Sequence, residues 1–98
     1  MAKQVVWTKT ALSQLEKMFS YIEAEYSLSA AKNLIIKVFN KVETLRHYPE
    51  AGRPSRSKKT VRGINVDKYR KLYYRLHGRR LIIVYLFDSR RNPDYNPY

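Results

Sequence analysis

Two apolar stripes at helical spacing, with almost no chain between them, constrain this protein more than any other feature. Ala11, Leu12, Leu15, Met18, Phe19 and Ile22 recur at intervals of three and four residues. That spacing places them on one face of a helix ending near Glu25. Gln14, Lys17 and Glu23 fall on the opposite face. Ala31, Leu34, Ile35, Val38, Val42 and Leu45 repeat the pattern in a second helix of similar length. Thr8 or Thr10 offers a cap for the first helix and Ser27 or Ser29 for the second, because a hydroxyl oxygen can accept from an unpaired first-turn amide. Pro49 disfavours helical geometry in Tyr48 and stops the second helix there. So short a connection implies an antiparallel hairpin. A hairpin of two amphipathic helices has one apolar side to bury, and the rest of the chain must cover it.

The rest of the chain reads as strands. Lys3 to Trp7 is β-branched and aromatic, a first strand. Residues 49–60 form a loop by composition, with two Pro, one Gly and two Ser. Val61 to Val66 is a strand weakened by Gly63, and Asp67-Lys68 is a turn. Arg70 to Leu76 alternates: Leu72, Tyr74 and Leu76 share one face, Lys71, Tyr73 and Arg75 the other. His77-Gly78-Arg79 turns the chain again. Leu81 to Phe87 is apolar on both faces and fits a central strand. Asp88 to Tyr98 reads as a tail, with Pro93 and Pro97 closing regular structure. The order is β-α-α-β-β-β in a single domain, residues 1–98. The fold class is α+β: the helical hairpin packs on one face of a twisted, mainly antiparallel sheet. Leu15, Phe19, Ile22, Leu34, Val38 and Val42 are expected between helices and sheet. The other face has no helix to cover it, and one of the adjacent Tyr73 and Tyr74 must point there.

Charge singles out the same surface. Thirteen of the twenty Lys and Arg but only three of the eight acids lie beyond residue 50, so that half carries +10 of the net +12. The excess is threaded with Tyr69, Tyr73, Tyr74, Tyr85, Tyr95 and Tyr98. Dense positive charge with interleaved aromatics fits a surface that meets polyanion, nucleic acid above all. The chain has no Cys, which excludes disulfides, thiolate metal sites and a Cys nucleophile. His47 and His77 are isolated and make no ligand cluster, so neither metal nor cofactor is expected. The longest apolar run, Leu81 to Phe87, is seven residues, against roughly twenty for a membrane span. A cytoplasmic protein with no membrane association is the expectation.

Several local features then coincide. They are Val5-Val6-Trp7-Thr8, Tyr21-Ile22, and Tyr48-Pro49-Glu50-Ala51-Gly52-Arg53-Pro54. Val61-Arg62-Gly63-Ile64 and Tyr69-Arg70-Lys71-Leu72-Tyr73-Tyr74-Arg75 follow, and a buried strand ends in Asp88-Ser89-Arg90-Arg91-Asn92-Pro93. In this order the chain resembles the RelE/ParE superfamily of toxins from bacterial type II toxin–antitoxin pairs, over nearly its whole length. The resemblance implies an acidic cognate antitoxin that wraps the toxin with a flexible segment. It also implies one of two targets. RelE-like members cut messenger RNA on the ribosome and so inhibit translation; ParE-like members bind DNA gyrase and poison it without being enzymes. An inactive member that only binds its antitoxin is a third reading.

Metal-free RNA cleavage needs a base for the 2′-hydroxyl, positive charge on the phosphorane-like transition state and an acid for the leaving oxygen. Arg suits the charge role because its fork binds two phosphate oxygens. The resemblance places Arg70 at a phosphate-binding position and Arg90 or Arg91 at a second basic one. Tyr95 or Tyr98 would stack on a base or serve in proton transfer. Lys58, Lys59, Arg62, Lys71, Tyr73, Arg75 and Tyr98 are the expected RNA-binding residues. Two departures stand against catalysis: Arg62 is a single basic residue where relatives carry a pair, and no His follows the last strand. The basic sheet face favours the nuclease reading slightly over the gyrase one.

Overall fold

The computed structural model describes residues 2–91 and 95–98. Its elements are β1 (Gln4–Trp7), α1 (Lys9–Glu25), α2 (Leu28–His47), β2 (Arg53–Pro54), β3 (Val61–Asn65), β4 (Arg70–His77) and β5 (Arg80–Asp88). The expectation attached to Pro93 falls outside the described residues. The two-residue β2 lies inside the expected loop and pairs antiparallel with β3. The sheet order is β1-β5-β4-β3-β2. β3, β4 and β5 form the antiparallel meander, while β1 lies parallel to β5.

Both helices start where a hydroxyl caps them. Thr8 Oγ1 accepts from the Ala11 amide at 3.2 Å and Ser27 Oγ from the Ala30 amide at 3.0 Å. The Thr8 hydroxyl also donates to the Ile83 carbonyl at 2.9 Å, which fixes the start of α1 to the sheet. β1 covers β5 only from Arg80 to Ile83. Beyond it, the Leu86 amide at the open edge donates to Gln14 Oε1 of α1 at 2.8 Å, so a helix side chain stands in for a strand.

The helices pack on one face of the sheet. Ala11, Leu15, Met18 and Ile22 of α1 and Ala31, Leu34, Val38, Val42 and Leu45 of α2 are buried against Leu72, Tyr74, Leu81, Ile83 and Leu86. Phe19 and Ile35 are only partly buried, and Leu12 is exposed. These three sit at the margins of their stripes, where the face rolls away from the sheet.

β4 keeps a strict alternation, but β5 does not. Tyr73 pairs with Tyr85 and Tyr74 with Ile83, leaving Val84 as a bulge. Leu81 and Ile83 face the helices before the bulge, Leu86 and Asp88 after it. The extra residue turns Tyr85 to the face without helices, opposite Tyr73.

Candidate functional site

The helix-free face is built by cross-strand neighbours. Val61, Gly63 and Asn65 of β3 lie beside Arg75, Tyr73 and Lys71 of β4, which lie beside Ile82, Tyr85 and Phe87 of β5. Of the expected RNA-binding residues, Lys71, Tyr73 and Arg75 are therefore together. Gly63 makes their packing possible. A Cβ there would fall 2.8 Å from both Lys71 Cε and Tyr73 Cε1, inside any tolerable contact. The Lys71 ammonium in turn sits 5.6 Å from the Tyr73 ring centroid, within cation–π range.

Tyr73 is only 3% exposed although no helix covers it. The cover is the tail. Asn96 Nδ2 donates to the Tyr73 hydroxyl at 2.8 Å, and the Tyr98 ring lies 5.0 Å from that of Tyr73 and 5.7 Å from that of Tyr85. The Ser55 hydroxyl donates to the Tyr98 main-chain oxygen at 2.7 Å, and Lys58 Nζ stands 5.7 Å from the Tyr98 ring. Burial chiefly, then the neighbouring Tyr95 phenol, raises the Tyr85 pKa above the ordinary phenol value. Lys58 and Tyr98 thus join the group, and Lys59 lies exposed next to Lys58. Ser55, Tyr85 and Asn96 were not among the expected site residues. The bulge and the fold-back that recruit them have no periodic signature.

Arg62 is on the other side. It pairs with Tyr74, and its Nη1 donates to the carbonyls of Gly52 at 2.7 Å and Glu50 at 3.3 Å. The Tyr74 hydroxyl donates to the Pro49 carbonyl at 2.7 Å and accepts from the Gly52 amide at 2.9 Å. The Pro49–Pro54 segment is thus strapped under the helix-side edge of the sheet, and Arg62 serves as one of its clasps.

Arg70 also faces the helix side, in step with Leu72, Tyr74 and Leu76. Its Nη1 donates to Asp67 Oδ2 at 2.9 Å, and its Nε lies 3.4 Å from Asp88 Oδ2, an ion-pair contact without hydrogen-bond geometry. Asp67 Oδ1 accepts from the amides of Tyr69 and Arg70, both at 2.9 Å. Burial works against the Asp67 charge, but these hydrogen bonds and the Arg70 cation outweigh it and hold its pKa below the ordinary aspartate value. Asp88 is itself buried and accepts from the Arg90 amide at 3.0 Å.

The four residues expected to be catalytic do not converge. Arg70 and Arg90 line a groove of about 270 Å³ with Ile22, Tyr26, Leu34 and Lys37. Arg91 and Tyr95 line a separate cleft of about 300 Å³ with Gln14, Lys17 and Tyr85. The Arg90 guanidinium stacks 4.7 Å from the Tyr69 centroid and that of Arg91 4.8 Å from the Tyr21 centroid. Elsewhere, Leu28, Ile36 and Phe39 are exposed along the outer side of α2, with Phe39 tilted against Trp7 at 6.0 Å.

A helical hairpin on one face of a five-stranded sheet, with a basic, aromatic opposite face, defines a small two-layer α+β protein. A model of the ParE toxin of the type II toxin–antitoxin system, parDE, matches residues 5–93, and the chain belongs to that family, within the RelE/ParE superfamily. The protein Y4kP of Sinorhizobium fredii is 36% identical over 58 residues, a match that spans 59% of this chain and 59% of that protein, less than two thirds of its length. Three solved structures share the fold. A chromosomal ParDE system from P. aeruginosa superposes with a TM-score of 0.76 at 19% identity, covering 89% of this chain and 96% of that one. The YoeB/ParE toxin from Agrobacterium tumefaciens gives 0.66 at 15% identity, over 87% and 97%. The RelBE2 toxin–antitoxin complex from Mycobacterium tuberculosis gives 0.63 at 21% identity, over 90% and 99%.

Proposed function

We propose that this protein is a toxin that acts by binding its target rather than by cleaving RNA, and that the target is DNA gyrase, as in ParE-like members of the superfamily. One observation carries the reading: Arg70, the residue on which metal-free cleavage would depend, is engaged by Asp67 and Asp88 on the helix side of the sheet. A phosphate would have to compete with both carboxylates for it. Arg90, Arg91 and Tyr95 are split between two clefts, which argues against one phosphate meeting a charge donor, a base and an acid together. The nuclease reading retains support from the face that gathers Lys58, Lys71, Tyr73, Arg75 and Tyr98.

The toxin's partner in the cell is proposed to be an acidic antitoxin. Charge opposite to the net +12 would steer its approach. The exposed Ile36 and Phe39 beside Trp7 offer apolar surface for it to bury.

The purified protein should inhibit gyrase supercoiling and accumulate cleaved DNA–gyrase complexes, while translating ribosomes keep their messengers intact. Messenger cleavage that requires ribosomes, with gyrase unaffected, would overturn the proposal in favour of the nuclease.

A further inference from the structure

The contacts of residues 95–98 on the helix-free face resemble those of a bound nucleotide. The Tyr98 ring lies tilted by 34° over the Tyr73 ring and edge-on, at 65°, to that of Tyr85, a cation stands at ring distance, a hydroxyl donates to the main-chain oxygen of the same residue, and an amide bonds a phenol. Tyr98, Asn96 and the Tyr98 main-chain oxygen take these positions, and Tyr98 preorganises itself by donating its amide to Asn96 Oδ1 at 3.0 Å.

We propose that residues 95–98 are an internal strap that occupies a base-stacking site formed by Tyr73, Tyr85, Ser55 and Lys58, and that an unpaired base of single-stranded nucleic acid must displace Tyr98 to enter it. The inference rests on the polyanion reading of this face and not on the choice between gyrase and ribosome. The strap holds by a small set of contacts: the side-chain hydrogen bonds from Asn96 and Ser55 and the ring contacts of Tyr98. A base can take the place of the Tyr98 ring, since stacking on an aromatic side chain tolerates any base. The surrounding charge selects for a phosphate-bearing ligand: Lys71 and Arg75 flank Tyr73 on β4, and Arg56 and Lys59 lie exposed in the loop that carries Ser55 and Lys58. While the strap is seated, Tyr73 is covered, so apparent affinity is reduced by the fraction of molecules in which the site is free.

The experiment measures binding of a labelled oligouridylate at low salt to the whole chain, to a chain lacking residues 95–98, and to Tyr98→Ala and Asn96→Ala. All three variants should bind more tightly than the parent, by about tenfold for the truncation and Tyr98→Ala. The point variants keep the comparison valid if the truncated chain misfolds. In the parent, oligouridylate should also increase nitration of Tyr98 by tetranitromethane, read by peptide mass spectrometry, because the displaced ring becomes accessible. Unchanged affinity, or weaker binding once the tail is altered, overturns the strap and makes the tail neutral or part of the binding surface, while the polyanion reading stands. If neither parent nor folded variants bind, both fail.

Discussion

Asp67 and Arg70 show how one local sequence sets a charge in place. Asp67 opens a turn and accepts from the amides two and three residues on, those of Tyr69 and Arg70, which brings the Arg70 side chain back onto its second oxygen. The strand register then sets Asp88 directly opposite Arg70. Removing the guanidinium leaves two carboxylates without their shared cation, one of them with little solvent, since the Asp88 side chain is 6% exposed. Arg70→Ala should therefore destabilise the fold by on the order of 3 kcal/mol at neutral pH. Part of that cost depends on pH. The folded-state pKa of Asp67 lies below its unfolded value of about 3.9. Its contribution is fully present above that value and is lost as pH falls through the folded pKa. Urea unfolding should thus show a gap between the parent and Arg70→Ala that is widest at neutral pH and narrows below about pH 4. A parent no more stable than the variant at neutral pH would return Arg70 to the list of solvated charges.

At the level of elements, much of the fold is legible in the chain before any coordinate is seen. The helix stripes, the caps at Thr8 and Ser27 and the alternation of β4 all place residues where the structure has them. The alternation even carries the face of Arg70, because residues 70, 72, 74 and 76 share a side and Leu72, Tyr74 and Leu76 are apolar. Arg62 shares its face with Ile64 in the same way. The family resemblance implies phosphate binding at Arg70, and Arg62 is among the expected RNA-binding residues, whereas their parity points to the helix side. Other features leave no local trace. The Val84 bulge is one apolar residue among seven, and the fold-back of residues 95–98 depends on a tertiary surface. The Pro49–Pro54 segment reads as a loop by composition, yet its purpose is to seat Gly52 against Tyr74. A Cβ on Gly52 would lie 2.6 Å from the Tyr74 hydroxyl oxygen and 3.0 Å from the Gly63 carbonyl. Gly52→Ala must therefore push the loop off the sheet. Tyr74→Phe leaves the buried Gly52 amide without its acceptor. Each should cost about 1–3 kcal/mol in urea unfolding. The double variant should cost less than the two added together, because both break the same seat. Full additivity would mean that the loop and Tyr74 act independently.

For the whole molecule the decisive quantity is where the net +12 resides once the chain has folded. Arg46 is tied to Glu43 and to the Lys3 carbonyl, Arg62 to the Pro49–Pro54 loop, and Arg70 to two aspartates. These cations are engaged in holding the fold. Lys58, Lys59, Lys71 and Arg75 have no ion-pair partner among the described residues and lie on or beside the helix-free face. A polyanion arriving there would release condensed counterions in proportion to the phosphates neutralised, with a slope of log K against log salt of about −0.7 per contact on a single strand. Replacing Lys58, Lys71 and Arg75 together by Ala should flatten that slope by about 2 for a labelled oligonucleotide. Arg62→Ala should leave the slope unchanged and lower the unfolding midpoint instead. The two outcomes separate cations that meet a ligand from cations that build the protein. A slope that drops with Arg62→Ala, or fails to drop with the triple replacement, would move the polyanion surface to another part of the molecule.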